Sequence, residues 1–168
     1  MSGSAHLRAI LFLPVVVTLV IPETILVLGD GPEIVWNLEH ALGALVTAIG
    51  LCLLALGAAL VVLTIRLFVR IGHGTLAPWD PTTQLVVYGP YRHVRNPMIS
   101  GVFFVLAGEA ALLGSTGLVL WLAGVVAVNA VYIPLVEEPG LRRRFGERYD
   151  RYRANVPRWL PRARPWRP

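Results

Sequence analysis

The chain has 168 residues, of which 55% are hydrophobic and 15% are charged, and its mean hydropathy is +0.63. This composition excludes an ordinary soluble domain, because the charges collect in a few stretches between long apolar runs. The formal net charge is +5, and no Lys contributes to it. No pattern of interleaved basic and aromatic residues supports nucleic-acid binding, so the basic surplus indicates an orientation signal in a membrane protein.

The sequence predicts an all-α integral membrane helical bundle, because it contains four apolar blocks of roughly the length needed to cross a bilayer. We expect a single membrane domain over residues 1–168, with spans at about 7–28, 41–69, 98–113 and 118–136. The stretch Gly114–Gly117 is the only separation between the last two blocks, so these should form an antiparallel helical hairpin. The second block is rich in Gly, including Gly50 and Gly57, which makes a homodimer possible.

The positions of the arginines predict the orientation. The loop 70–97 and the segment 137–168 are basic, whereas the loop 30–39 is acidic. With four spans, both basic segments lie on the same side of the membrane, and the positive-inside bias makes that side cytoplasmic. Residues from 137 onward begin with an amphipathic pattern, which predicts a C-terminal interfacial helix; its apolar side consists of Leu141, Phe145, Tyr149 and Tyr152.

Two polar clusters interrupt the apolar pattern at the ends of the third and fourth blocks. The first is the segment Leu85–Gly101, called the hinge below, which carries Tyr91, Arg95 and Asn96; the second is the pair Glu137 and Glu138. A carboxylate can bind an ammonium group or ribose hydroxyls, an arginine can bind a carboxylate, and an aromatic ring can face a base or a cation. The combination suits a zwitterionic nucleoside with an additional positive charge, such as S-adenosylmethionine.

The motifs GPYRHVRNPMISG and EEPGLRRRFGERYDRYRANVPRWLP resemble the isoprenylcysteine carboxyl methyltransferase and phospholipid methyltransferase family of membrane enzymes. The resemblance covers about the C-terminal half of the chain, and both motifs occur in the family's order with a hairpin between them. It implies an enzyme that binds S-adenosylmethionine from the cytosol and takes a lipidic acceptor from the bilayer. The cofactor contacts that it implies are Gln84, Leu85, Val86, Tyr91, Asn96, Pro97, Met98, Ile99 and Glu137.

Three positions depart from the family pattern. Asn96 and Ile99 stand where the family usually has His and Tyr, so the second change removes a hydroxyl and a ring. Ile133 stands where the isoprenylcysteine enzymes have an Arg, which weighs against a prenylcysteine carboxylate as the acceptor. The acceptor is therefore predicted only as a lipid or a hydrophobic small molecule, with membrane lipids as the surroundings.

Methyl transfer is an in-line displacement, for which the protein mainly aligns the nucleophile and excludes water. An amine or hydroxyl acceptor also loses a proton, and Glu109 and Glu138 are the candidate bases, with Arg95 as a further catalytic candidate. For Glu109 the alternative is a neutral side chain bonded across the hairpin to Asn129 or Tyr132.

Two other functions fit the same polar clusters. One is a membrane reductase of related fold that binds NADPH, and the other is a non-catalytic lipid-binding protein. A metal site is not predicted, because His73 and His93 are too isolated to form a set of ligands.

Overall fold

The computed structural model describes residues 13–29, 38–72 and 84–167. All regular structure in these ranges is helical, which confirms the all-α prediction. The start of the first predicted span, most of the acidic loop and much of the loop 70–97, with His73, lie outside the described residues. The five main helices are α1 (Leu13–Leu28), α2 (His40–Ile71), α3 (Pro97–Leu113), α4 (Thr116–Phe145) and α5 (Glu147–Asn155).

Two of the helices, α2 and α4, are long and apolar enough to cross a membrane, with 32 and 30 residues. They expose many large apolar side chains, such as Leu45, Leu56 and Leu120, which the core helix of a soluble protein would bury. The helices α1 and α3 are apolar but shorter. The 17 residues of α3 extend over about 26 Å, slightly less than a hydrocarbon core of about 30 Å. The count of four spans stays a prediction.

The helix α4 continues beyond the predicted end of the fourth span. It passes Pro134 in a π-helical turn, Ile133–Glu137, and then continues through Pro139 to Phe145. A proline has no backbone N–H to donate, and a widened turn inside a helix can absorb such a missing bond. The predicted C-terminal helix is therefore divided, because its first part extends α4 and its second part is α5.

The helices α2 and α3 approach each other closely. A Cβ atom added to Gly57 would lie 2.7 Å from the carbonyl oxygen of Gly101, and one added to Gly108 would lie 2.8 Å from that of Gly50. These pairs show that the two helices run antiparallel with their backbones in contact. The glycines that suggested a dimer, Gly50 and Gly57, therefore pack against α3 of the same chain. They no longer support a homodimer, which stays a prediction.

The remaining helices complete an alternating arrangement. Gly114, with φ of 59°, ends α3 in the left-handed conformation, and Ser115 caps α4 by accepting a hydrogen bond from the Leu118 amide. The Trp121 indole donates to the carbonyl of Val17 and joins α1 to α4. The end of α2, the start of α3 and the end of α4 therefore lie at the same end of the bundle, called the hinge end below.

Beyond α5 the chain turns back along the hinge, and residues 156–166 are called the tail strap below. The backbones of the tail strap and the hinge are joined by three hydrogen bonds of 2.9 to 3.0 Å: Arg95 N to Pro157 O, Arg162 N to His93 O, and Trp166 N to Arg92 O. Trp159 also packs on Phe103 of α3, with ring centroids 5.5 Å apart. The tail strap therefore covers the hinge and the first turns of α3.

Candidate functional site

The hinge folds back sharply so that its central tyrosine is buried. Gly89 adopts φ of 54°, which favours glycine, and starts a 3₁₀ turn that ends at Arg92. Tyr91 then packs edge-to-face on Phe68 at the end of α2, with centroids 5.7 Å apart, and its carbonyl accepts a hydrogen bond of 2.7 Å from the hydroxyl of Tyr152. The hinge is therefore held between α2 and α5.

Glu138 is the centre of the charged groups at the hinge end. Its side chain is about 5% exposed and accepts a bond of 2.8 Å from Arg95 Nη1. Arg158 of the tail strap donates to both carboxylate oxygens, at 2.6 and 3.1 Å, and Arg153 Nε lies 3.6 Å away. Glu138 therefore joins the hinge, α5 and the tail strap to α4.

The environment of Glu138 keeps it ionised. Burial raises the pKa of the carboxyl group, but the hydrogen bond from Arg158 and the charges of Arg95, Arg158 and Arg153 outweigh burial, so that the pKa is lowered overall. A carboxylate held by three guanidinium groups is a poor proton acceptor. These contacts do not favour the predicted role of Glu138 as a base. That role stays a prediction.

Two donor nitrogens and one carboxylate beside this cluster have no hydrogen-bond or ion-pair partner among the described residues. The buried atoms Arg95 Nε and Asn96 Nδ2 have no hydrogen-bond partner. Glu137, just beyond the predicted span 118–136, is only partly buried, and no described residue forms an ion pair with it or donates a hydrogen bond to it. Burial raises the pKa of Glu137, as does the charge of Glu138. The hinge end therefore offers two donors and one carboxylate.

Residues 45–148, more than half of the chain, match the family model described as phospholipid methyltransferase. The chain belongs to the phospholipid methyltransferase family. Comparisons with curated proteins and with solved structures found no match. The family assignment confirms the predicted resemblance and supports the predicted class of membrane methyltransferase. The matched range includes most of α2, the hinge, α3 and α4 but ends before the tail strap.

The structure of this phospholipid methyltransferase family member brings most of the predicted cofactor contacts to the hinge end. Pro97 and Met98 are buried in the first turn of α3, and Ile99 follows them half-buried. Gln84 is exposed, whereas Leu85 packs against the buried cluster Tyr149, Tyr152 and Val156; Val86 is itself buried. These positions stay predictions as cofactor contacts.

Glu109 is not brought to the same place. It lies 12 residues after Pro97 on α3, roughly 18 Å further along the helix axis. One of its oxygens, Oε2, is buried and has no partner among the described residues. Asn129 donates instead to the Val125 carbonyl of its own helix, and Tyr132 is exposed. The distance along α3 separates Glu109 from the other members of the site.

The contribution of α5 and the tail strap was not predicted from the sequence. The amphipathic pattern predicts Tyr149 and Tyr152 on the apolar side of an interfacial helix and indicates no role at the site for Arg153 or Arg158. In the structure Tyr149 is a partner of Arg95, with Nη1 3.3 Å from Oη, and Arg158 holds Glu138. The Val-Pro-Arg segment at 156–158 lies in the second motif that carried the resemblance, and it was the signal that could have identified Arg158.

A surface groove in the described part of the chain lies outside the polar site. It has a volume of about 460 Å³ and runs along the outer face of α4. It is almost entirely apolar and is lined by Ala127, Val128, Val131, Tyr132, Leu135 and Val136. Its last lining residue, Val136, immediately precedes Glu137 in the chain, but neither Glu137 nor Glu138 lines the groove.

Proposed function

We propose that the protein transfers a methyl group from S-adenosylmethionine to a lipidic or membrane-partitioned small acceptor at the cytoplasmic face of the membrane. The observation that carries this proposal is the meeting of the hinge and the end of α4, where Arg95 Nη1 lies 2.8 Å from Glu138 Oε1. This contact joins the two motifs, although more than 40 residues separate Arg95 from Glu138 in the chain.

The unused polar groups fit the chemistry of this cofactor. S-adenosylmethionine carries an ammonium group, a carboxylate, ribose hydroxyls and an adenine ring, and when bound it supplies a methyl group activated by a positive sulfonium. Glu137 would accept hydrogen bonds from the ammonium group or the ribose. Arg95 Nε and Asn96 Nδ2 would donate to the carboxylate or to ring nitrogens. The Asn at 96 keeps a donor where the family usually has His.

The residues of the chain would act mainly by positioning and by excluding water. Tyr91, Pro97 and Met98 are buried beside the polar groups and form an apolar wall. Burial raises the pKa of Tyr91 well above its usual value, and the charges of Tyr152 and Glu137 act in the same direction, so this tyrosine stays neutral. Of the two carboxylates, Glu137 is the better proton acceptor, because its pKa is raised whereas that of Glu138 is lowered.

The groove on α4 supports a lipidic acceptor. Its apolar lining suits an acyl or isoprenoid chain. An acceptor held along this face of α4 would stay in the membrane and would need no passage through water.

The test is a binding and transfer experiment with purified protein in detergent or nanodiscs. We expect S-adenosylmethionine to bind, and Glu137→Gln to weaken binding by more than about tenfold, which corresponds to about 1.4 kcal/mol. Glu147→Gln, an exposed acidic residue on α5, is the matched control and should bind as the wild type does. Unchanged affinity in Glu137→Gln would reject the site assignment.

The same preparation tests the acceptor class and the alternatives. Radiolabelled S-adenosylmethionine incubated with membrane lipid extract should label a lipid-soluble product. NADPH titrated in parallel should not bind; binding of NADPH in place of S-adenosylmethionine would favour the reductase. Cofactor binding without any labelled product would favour the non-catalytic lipid-binding protein.

A further inference from the structure

The tail strap and the hinge meet at a single carboxylate oxygen. Glu138 Oε1 accepts from Arg95 Nη1 at 2.8 Å and from Arg158 Nε at 2.6 Å. The backbones on either side are also joined, because the Arg95 amide donates to the carbonyl of Pro157, the residue before Arg158. Glu138 therefore fixes the hinge and the tail strap relative to one another, and both relative to α4.

The contacts of Arg158 differ from those of the other arginines in this cluster. Its guanidinium group binds both oxygens of Glu138, a bidentate arrangement that restrains orientation as well as distance. Its side chain is 29% exposed, whereas that of Arg153 is 49% exposed and lies farther from the carboxylate. Arg158 is also the only residue of the tail strap that forms an ion pair with a described residue.

The pairing of the tail strap with Glu138 also affects the two free donors of the hinge, Arg95 Nε and Asn96 Nδ2. Arg95 Nε belongs to the guanidinium that Glu138 holds, and Asn96 is the next residue along the chain. The bond between Arg95 N and Pro157 O restrains the backbone at this point. If the tail strap separates from the hinge, the Arg95 amide loses its bond to Pro157 O, and Glu138 loses the bidentate partner that fixes the orientation of the carboxylate holding Arg95.

We propose that Arg158 is a positioning residue, whose ion pair with Glu138 fastens the tail strap over the hinge and thereby holds Arg95 and Asn96 in the geometry that binds the cofactor. This inference rests on the proposed function, since it assigns these donors to S-adenosylmethionine. It also requires the coupling to be reciprocal: the cofactor must stabilise the docked tail strap as much as docking favours the cofactor.

Limited trypsin digestion measures docking of the tail strap. The bond between Arg162 and Ala163 is a cleavage site, and in the docked strap Arg162 is tied by its amide to His93 O and by its side chain to Asn155 O. Arg158→Gln leaves this cleavage site intact. The matched control is Arg164→Gln in the same segment, because Arg164 is exposed and forms no ion pair with a described residue.

For Arg158→Gln we expect cleavage after Arg162 to be at least about fivefold faster and the affinity for S-adenosylmethionine to fall by about tenfold. Arg158→Lys keeps the charge but cannot form the bidentate pair, so it should be intermediate in both measurements. Arg164→Gln should match the wild type. In the wild type, saturating S-adenosylmethionine should slow cleavage, an effect that a tail strap with only a structural role would not show.

Two results would overturn the inference: faster cleavage in Arg158→Gln with unchanged cofactor affinity, or a wild-type cleavage rate that S-adenosylmethionine does not alter. If Arg158→Gln aggregates in detergent, Arg158→Lys and the protection measured on the wild type decide the question. A wild type that fails to bind S-adenosylmethionine rejects the proposed function and removes the coupling. The cleavage rates then still show whether Arg158 fastens the tail strap.

Discussion

The contact between α2 and α3 predicts that adding one methyl group at Gly57 destabilises the bundle. The Cβ of Gly57→Ala would lie 2.7 Å from Gly101 O, 2.7 Å from Val105 N and 2.8 Å from Val105 Cγ2. Two of these atoms belong to the backbone of α3, so a change of side-chain rotamer cannot relieve the clash. The two helices must therefore move apart at this point.

The expected loss of stability in Gly57→Ala follows from the distance by which α2 and α3 must separate. An ordinary contact begins at 3.4 Å, so the helices must separate locally by about 0.7 Å. A gap of that size forfeits about a quarter to a half of the dispersion energy of each neighbouring contact, including those at Gly50 and Gly108. Overpacking of this kind typically costs about 1–3 kcal/mol. We expect Gly57→Ala to lose stability within that range.

The assay is thermal or denaturant unfolding in one detergent, with Gly124→Ala as the matched control. Gly124 also lies in a long apolar helix, but a Cβ added there would meet no atom within 4 Å. The control should be neutral or slightly stabilising, because Ala is the better helix former by up to about 1 kcal/mol. Equal stability of Gly57→Ala and Gly124→Ala would refute the close packing of α2 on α3.

Three further predictions concern the hinge end. Tyr152→Phe removes the donor to the buried Tyr91 carbonyl and should cost about 1–3 kcal/mol in unfolding, whereas Tyr132→Phe, at an exposed tyrosine, should cost little; equal effects would argue against this bond. Trp159→Ala should speed trypsin cleavage after Arg162 because it loses the stacking on Phe103, whereas Leu160→Ala, at a residue 81% exposed, should not; no difference between the two would contradict the stacking. The pKa of Glu138 is lowered from its usual 4.5, so its contribution to stability is present above about pH 4.5 and is lost as the pH falls through the lower folded value. The melting temperature should therefore fall on acidification below pH 4.5, and Glu138→Gln should show a smaller fall; identical pH profiles would exclude Glu138 as the source.

Much of the fold could be predicted from hydrophobicity and from breaks in the helical pattern. The apolar blocks correspond to the observed helices, and Asn96-Pro97 marks the start of α3, because the residue before a proline disfavours helical geometry. The prediction that the hinge and Glu137–Glu138 meet needed only an alternating order of helices. That juxtaposition is present, although the cofactor contacts within it stay predictions.

The helix pairing was less accessible from the sequence. Gly50 and Gly57 were visible as small residues, but nothing in α2 alone shows whether their partner is another helix or another copy of the chain. The equal spacing of Gly101 and Gly108 on α3 was an available signal, since two pairs of small residues seven positions apart can face each other.

The tail strap was inaccessible for a different reason. Its pairing with the hinge uses backbone carbonyls, which every residue carries, and backbone amides, which every residue except proline carries. No side-chain pattern therefore predicts this pairing. Arg158 is one of 15 arginines, and apart from its place in the Val-Pro-Arg segment nothing in the sequence pairs it with Glu138.

This backbone pairing makes two positions of the tail strap specifically intolerant of proline. Because Arg162 and Trp166 contribute their amides to the pairing, many side chains at these two positions could be exchanged without breaking those bonds. Proline is the exception, since it has no amide hydrogen to give. A library that varies residues 162 and 166 should therefore specifically lose proline at both positions, while the prolines already present at 161 and 165 do no harm.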